Sequence, residues 1–452
     1  MDTFDRLRSL GLLDGRAPRY TSYPTAPNFA PAVGAAFQAE RLAAVDPAVP
    51  VSVYLHVPFC ERLCWFCACH TQGTKTLAPV EAYVGTLEAE LALVAARLPQ
   101  GVRMGRLHWG GGTPTILPPA LIRRLAAAIR AVFPPAEGME FSVEIDPTLV
   151  DAAKIEALAA EGMTRASLGI QDFDPLVQRA IGRIQSHDAT RDAVDTLRGC
   201  GVASLNADLV YGLPHQTEAR LADTVERVLA LAPDRVAIFG YAHVPWASRR
   251  QKLIDAAALP DDRARLRLAR LAAESFVEAG FRRIGIDHFA RPGDGLDRAA
   301  RSGRLRRNFQ GYTDDDCPTL IGLGASSISR FPGGYVQNAP APAAWASRIG
   351  AGELPGARGH VLTAEDRLRG RAIEMLLCDF RLDFAALDSE ALGAGSDVLR
   401  PVAAEVAERF GDLVSLDAAG LTIHPAGVPL ARIVASAFDG HLAAGGRFSR
   451  AS

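Results

Sequence analysis

The sequence predicts an α/β protein: a parallel sheet with right-handed helical crossovers, either doubly wound or a barrel, complete or partial. Three observations predict it. Six stretches with strand character recur between residues 51 and 240, and helix-like stretches separate and follow them. The strand-like stretches end on glycine or polar residues, as turns before crossover helices do. After about residue 290 the pattern loosens, and a separate, mostly helical segment opens near residue 361. A chain of 452 residues is too long for one simple core, so a large domain with smaller attachments is expected.

Taken in order, residues 1–48 are rich in Pro and Ala and read as an N-terminal arm, in which PRYTSYP (18–24) suits either an extended segment packed on a surface or an ordinary docked terminus. The regular region, 49–290, begins with Val51, Val53, Leu55 and Val57 alternating with Ser52, Tyr54 and His56, so Tyr54 and His56 share a face. A helix with Val84, Leu87, Leu91, Val94 and Leu98 on one stripe follows. A short strand over 107–109 runs into GGGTPT, and Leu121, Leu125, Ile129 and Val132 mark the next helix. Phe141, Val143 and Ile145 alternate with Ser142 and Glu144 ahead of a helix over 151–160. Strands are expected again at 166–170, 204–210 and 235–239.

Along these strands the exits carry Cys60, residues 110–113, Glu144, Gln171, Asp208 and residues 241–243. In a parallel barrel all exits lie on one rim, where such folds place their sites. Residues 291–360 read as a barrel extension with substrate-side loops, and Arg291, Arg298, Arg301, Arg304, Arg306 and Arg307 suit either a ligand with several carboxylates or a solvated basic face. LIGLGASSIS (320–329) reads as an apolar strand and turn. Thr363 with Asp366 is a capping signal that opens the C-terminal segment, 361–452, expected as helices plus one hairpin in a small helical or winged-helix-like domain. That segment shows no basic stripe.

The first exit leads into CERLCWFCAC, residues 60–69, which holds four of the seven cysteines. Such density marks a metal or redox site. Structural zinc takes separated ligand pairs or adds histidines. Here Cys60, Cys64 and Cys67 crowd one loop, and three thiolates can bind three irons of a 4Fe-4S cube while the fourth stays open for a substrate to chelate. Zinc and a redox dithiol stand as the alternatives. Cys200, Cys317 and Cys378 are scattered singles, expected as small buried hydrophobes.

With 49 Lys and Arg against 51 Asp and Glu, the net charge of −2 argues against a nucleic-acid binder. No apolar run reaches the ~18 residues of a membrane span, and MDTFDRLRSL lacks a signal-peptide core. A cytoplasmic protein is expected, in a compartment that keeps clustered cysteines reduced.

At the cysteine loop the chain resembles the radical S-adenosylmethionine (SAM) enzymes, marked by C-x3-C-x2-C after the first barrel strand, and GGGTPT resembles their glycine-rich segment. PRYTSYPTA, HVPFC, the fourth cysteine, HWGGGTPT, DLVYGLP, YAHVP, DHFARP and NFQGYT together resemble the oxygen-independent coproporphyrinogen III oxidases, also called coproporphyrinogen dehydrogenases. The resemblance implies a partial (β/α)6 TIM-like barrel of the radical SAM type, with an N-terminal arm and a C-terminal domain over its opening. It implies a 4Fe-4S cluster on Cys60, Cys64 and Cys67, and Cys69 needed for activity without ligating iron. It implies two SAM molecules: Tyr54, Gly111, Glu144 and Ile328 at the first; Phe66, Gly112, Thr113, Gln171, Arg183, Asp208 and Ala242 at the second. Cys69, Tyr54 and Glu144 are the expected catalytic residues. The implied reaction is anaerobic decarboxylation of two propionates of coproporphyrinogen III to vinyl groups, giving protoporphyrinogen IX. An electron donor such as a flavodoxin or a reductase, and a monomeric chain, are expected with it. Trp65 and Ala68 stand where that family often has tyrosine and glycine. Rival readings are a radical SAM haem chaperone, whose members lack the fourth cysteine, a haem-degrading radical SAM methyltransferase, and a zinc-stabilised α/β protein.

Overall fold

The computed structural model describes residues 3–13, 15, 17–390, 392–393 and 395–442. The remaining residues of the expected arm and C-terminal domain lie outside the described residues. Six parallel strands carry the fold: β1 (Val51–Val57), β2 (Met104–Gly111), β3 (Pro135–Ile145), β4 (Arg165–Gln171), β5 (Ser204–Tyr211) and β6 (Arg235–Gly240). Each pairs with the next in chain order. Helices α1 (Ala78–Ala95), α2 (Pro119–Val132), α3 (Ala152–Ala160), α4 (His187–Gly199), α5 (Glu218–Ala230) and α6 (Asp262–Glu278) follow them. Beyond β6 lie β7 (Arg282–Ile284) and β8 (His288–Ala290); beyond β1 lie β9 (Leu320–Leu323), β10 (Ile328–Phe331), β11 (Gly334–Asn338) and β12 (Gly356–Val361). The order β12-β11-β10-β9-β1-β2-β3-β4-β5-β6-β8-β7 is linear, so the barrel is partial, with six βα units as expected. The 320–329 segment supplies β9, parallel to β1, and the turn into β10.

The alternation read in the sequence has its physical cause here. Val51, Val53, Leu55 and Val57 of β1 are at most 1% exposed and meet Val84, Leu87, Leu91 and Val94 of α1 in the principal core. Leu98 lies just past the end of α1 and packs on the same core. Burial of such side chains, at about 1.5–3 kcal/mol each, holds the helices on the sheet. The other strand face is polar. Arg106 pairs with Glu140 at 3.0 Å and with Asp314 at 3.2 Å, Arg165 with Glu140 at 3.5 Å, and Arg235 with Asp294 at 2.7 Å. Ion pairs therefore fill the interior toward the strand N-termini and leave the opposite rim for chemistry.

A second core joins the arm to the C-terminal segment: Leu7, Leu12, Leu13, Ala17, Tyr20 and Tyr23 pack with Leu368, Leu376, Phe410 and Phe438. The arm is thus docked, and it bridges two bodies, because Ala30 pairs with Gly359 of β12 and Leu42 enters the principal core. Helix α7 (Ala364–Cys378) starts at the Thr363–Asp366 capping box. The hairpin expected there forms from Val414–Leu416 and Gly420–Ile423, and Arg381–Asp383 adds a third strand the sequence did not signal. Cys317 and Cys378 are buried, Cys200 half-buried. Among the described residues no helix is long and apolar enough to cross a membrane.

Candidate functional site

Strand register builds the site. Tyr54 of β1 pairs with His108 of β2, and His56 with Gly110, so these side chains line up across neighbouring exits. The rings of Tyr54 and His108 stack at 5.8 Å and 15°. His56 Nε2 lies 3.4 Å from the carbonyl of His70, which can only accept, so Nε2 carries the proton and Nδ1 accepts the Tyr54 hydroxyl at 3.0 Å. Burial lowers the His56 pKa, favouring the neutral ring.

Glu144, at the exit of β3, accepts from Gly111 N at 3.1 Å and faces His108 Nε2 at 3.4 Å. Burial pushes its carboxyl up, but the hydrogen bonds and charge of His108 and the Gly111 amide outweigh burial and hold it below the ordinary range. Asp208, on β5, accepts from Ser167 at 2.7 Å and Asn206 at 2.8 Å; burial raises its pKa, and the charge of Glu144 adds to that.

The glycines between them are required by contact. A Cβ on Gly111, whose φ is +113°, would stand 2.6 Å from the His56 ring. One on Gly112 would stand 2.4 Å from the carbonyl oxygen of Phe59. The β2 exit therefore presses against the backbone that enters the cysteine loop, and Gly112 N and Thr113 N donate to Val57 O and Phe59 O, both at 2.8 Å.

Within the loop, the four thiols differ. Burial raises the Cys60 pKa, offset by hydrogen bonding to Thr113. A hydrogen bond from Cys69, with the nearby Arg250 and Arg183, pulls Cys67 down to about 6. The same bond pushes Cys69 up, so the pair favours the thiolate on Cys67 over Cys69. Cys69 N also lies 3.3 Å from Cys67 Sγ. Arg183 donates to Cys64 Sγ at 3.5 Å and to Gly169 O at 2.6 Å, and it pairs with Asp146 at 3.0 Å. Gln171, beside Gly169, has φ +71°. The loop is pinned from the segment after β6: Gln251 donates to Phe66 O at 2.7 Å, Ser248 to Cys67 O at 2.9 Å and Arg250 to Cys69 O at 2.8 Å.

Those residues therefore gather on consecutive exits. Ile328 joins them through its backbone, which crowds Gly322, the register partner of Tyr54. Ala242, on the β6 exit, lines a cavity of about 830 Å³ between that exit, the arm and the C-terminal domain, and its neighbour Tyr241 packs with Trp65 and Phe66 of the cysteine loop. The arginine run is mostly elsewhere. Arg291 bonds Pro233 O and covers Phe281, Arg298 bonds Gly293 O and Arg304 bonds Ser302; of the six, Arg307 alone lines the cavity. Sequence reasoning missed Arg19, Arg283 and Arg432 there, and it missed His108, whose place opposite Tyr54 only the register shows.

Thiolates select soft metals, and this loop offers three in a sulfur-donating arrangement, with N–H and guanidinium donors aimed at the sulfurs and a side-chain-free glycine edge beside them. The residues present fit an iron-sulfur cluster with a small polar cosubstrate next to it.

Comparison with known proteins agrees. Residues 54–228 match the Radical SAM superfamily. The chain is 62% identical over 447 residues to an oxygen-independent coproporphyrinogen III oxidase of Cereibacter sphaeroides, covering 99% of both chains. It is 55% identical to the enzyme of that name from Paracoccus denitrificans, covering 98% of each. The solved structure of coproporphyrinogen III oxidase (HemN) from Escherichia coli, described as a radical SAM enzyme, superposes with a TM-score of 0.89 at 36% identity, over 94% of this chain and 98% of that one. The chain belongs to the oxygen-independent coproporphyrinogen III oxidases, within the radical SAM superfamily.

Proposed function

We propose that this chain carries out its family's oxidative decarboxylation in haem biosynthesis with the residues gathered on the barrel rim, converting two propionates of coproporphyrinogen III to vinyl groups. Cys60, Cys64 and Cys67 would hold a 4Fe-4S cluster, with Cys69 beside it as a thiol that does not ligate iron. Bound and reduced there, such a cluster would supply the electron for reductive cleavage of SAM, while the β-hydrogen of each propionate would leave in 5′-deoxyadenosine and the electron freed with carbon dioxide would pass to an external one-electron acceptor. The protein's part is to bind, orient and exclude water.

Tyr54, Gly111, Glu144 and Ile328 would receive one SAM. Glu144, held anionic, suits the cationic groups of that ligand, and the Tyr54–His56 pair continues the same surface beyond His108. Phe66, Gly112, Thr113, Gln171, Arg183, Asp208 and Ala242 would receive the second. Arg183 has a further role in donating to Cys64, since hydrogen bonds to sulfur raise cluster potential. Cys69, Tyr54 and Glu144 are the catalytic residues of this reading.

A one-electron donor, a flavodoxin or a reductase, would feed the loop, where Cys69 and Glu61 are exposed. The chain would act as a monomer in the cytoplasm; the seven free cysteines fit a reducing compartment. The observation that carries the reading is the hydrogen-bonded chain Tyr54–His56 and Gly111–Glu144–His108 next to the three-cysteine loop. The test is anaerobic: reconstituted protein with reductant, SAM and coproporphyrinogen III should release two carbon dioxide per protoporphyrinogen IX, with 5′-deoxyadenosine formed alongside. Haem binding without turnover would favour the chaperone instead.

A further inference from the structure

One hydroxyl behind the rim ties together segments that bound it, and the rim chemistry does not use it. Tyr83 stands on α1, the helix that follows the cysteine loop, and Glu90 lies on the same face about two turns later. The Tyr83 hydroxyl donates to the His56 carbonyl at 2.9 Å and accepts from Ala325 N at 2.9 Å, so it bridges the β1 exit and the turn between β9 and β10. Its ring meets Phe59, the residue before Cys60, edge-on with centroids 5.4 Å apart. A Cβ on Gly324, whose φ is +93°, would stand 2.5 Å from this hydroxyl, so the turn comes as close as glycine permits.

The far side of the turn is gripped as well. Glu90 accepts from Gly324 N at 2.7 Å, from Asn338 Nδ2 at 2.7 Å and from Trp345 Nε1 at 3.2 Å. Asn338, at the end of β11, also donates to Gly324 O at 2.9 Å and to Ser327 Oγ at 3.0 Å. Tyr83, Glu90 and Asn338 are at most 5% exposed, so a bond lost here leaves a buried group unpaired. The residue that follows this turn is Ile328. Its backbone packs on Gly322, where a Cβ would lie 2.8 Å from Ile328 O, and Gly322 is the register partner of Tyr54. A shift of the turn therefore moves Ile328, and a shift of the His56 carbonyl moves the strand end that carries Tyr54.

We infer that Tyr83 is a positioning residue for the first SAM. Its hydroxyl sets the spacing between the β1 exit and the turn that leads to Ile328, while Glu90 and Asn338 hold that turn against it. Tyr83 acts through Tyr54 and Ile328 and touches neither SAM nor iron. The inference deepens the proposed function and rests on its assignment of Tyr54 and Ile328 to that ligand. A tyrosine that served core packing alone would use its ring and leave the hydroxyl without effect on SAM, and Tyr83→Phe separates the two because it keeps the ring.

The anaerobically reconstituted, dithionite-reduced holoenzyme is titrated with SAM, and the change in cluster g-values is followed by electron paramagnetic resonance. Iron content and coproporphyrin III binding, the latter by fluorescence, are measured alongside. Tyr83→Phe should need about fivefold more SAM or above for half the spectral change, while its iron content and coproporphyrin affinity stay within about twofold of the unaltered protein. Asp366→Asn, which removes hydrogen bonds joining β12 to the C-terminal segment, should keep its SAM response, so that lost stability by itself does not move the readout. A SAM response within about twofold in Tyr83→Phe, equal losses of SAM and coproporphyrin affinity, loss of iron, or an equal SAM loss in Asp366→Asn overturns the positioning role. If the unaltered holoenzyme gives no SAM response, the proposed function falls and the role of Tyr83 falls with it. If the unaltered holoenzyme responds and converts coproporphyrinogen while Tyr83→Phe matches it, only the role of Tyr83 falls.

Discussion

Replacing Glu144 by glutamine isolates one charge at the rim. The carboxylate accepts from Gly111 N at 3.1 Å and faces His108 at 3.4 Å, and a glutamine amide oxygen can still accept from Gly111. Shape is kept while charge is lost. Because the folded pKa is depressed below 4.5, the anion's contribution is present at neutral pH and is lost only as pH falls through the folded value. A hydrogen bond to a charged group contributes about 1.5–3 kcal/mol, which corresponds to about 10- to 150-fold in affinity. Glu144→Gln should therefore raise the SAM dissociation constant by about that factor, measured by anaerobic equilibrium dialysis on reconstituted protein, with 5′-deoxyadenosine formation partly recovered at high SAM. Affinity within twofold of the unaltered protein, together with unchanged turnover, would refute the role.

Other perturbations follow from the same geometry. Cys67→Ser should lose cluster iron and sulfide while Cys69→Ser retains both and loses turnover; iron analysis after reconstitution checks this, and equal iron loss in the two variants would contradict it. Gly112→Ala puts a Cβ against the Phe59 backbone, where no flexible side chain can yield, so overpacking should cost about 1–3 kcal/mol and speed iron release to a chelator, and a variant matching the unaltered protein in both respects would contradict the cradle. Asp366 accepts from His360 at 3.0 Å, His441 at 2.6 Å and Thr363 N at 3.0 Å; although burial pushes it up, these bonds hold it at about 2 against an ordinary 3.8. Its stabilisation, about 1 kcal/mol once solvent screening is allowed for, is present above the ordinary value and lost as pH falls toward 2. Urea melts should show Asp366→Asn less stable by about that amount at pH 7, with the gap closing in acid; a gap independent of pH would contradict the assignment.

What was legible in the sequence is what is local. The alternation from Val51 to Val57, the stripe from Val84 to Val94 and the Thr363–Asp366 cap are each settled within a few residues, and each forms as read. The cysteine loop is local too, and its density announces a metal site before any fold is known. Features that depend on register or long-range closure were not legible. Tyr54 meets His108 only because β1 and β2 align at that step. The Arg106–Glu140–Arg165 interior depends on register in the same way; it is stabilised by pairing across strands. Arg19, Arg307 and Arg432 are far apart in the sequence and line one cavity only when the arm and the last helix close on the barrel. The arginine run at 291–307 was conspicuous by composition, yet most of it braces nearby carbonyls.

In the proposed function three sulfurs leave one iron free to take a ligand at the rim. Electron paramagnetic resonance of the dithionite-reduced, reconstituted protein tests this directly. Added SAM should change the g-values of the reduced 4Fe-4S signal in the unaltered protein. A reduced cluster whose spectrum is the same with and without saturating SAM would contradict it.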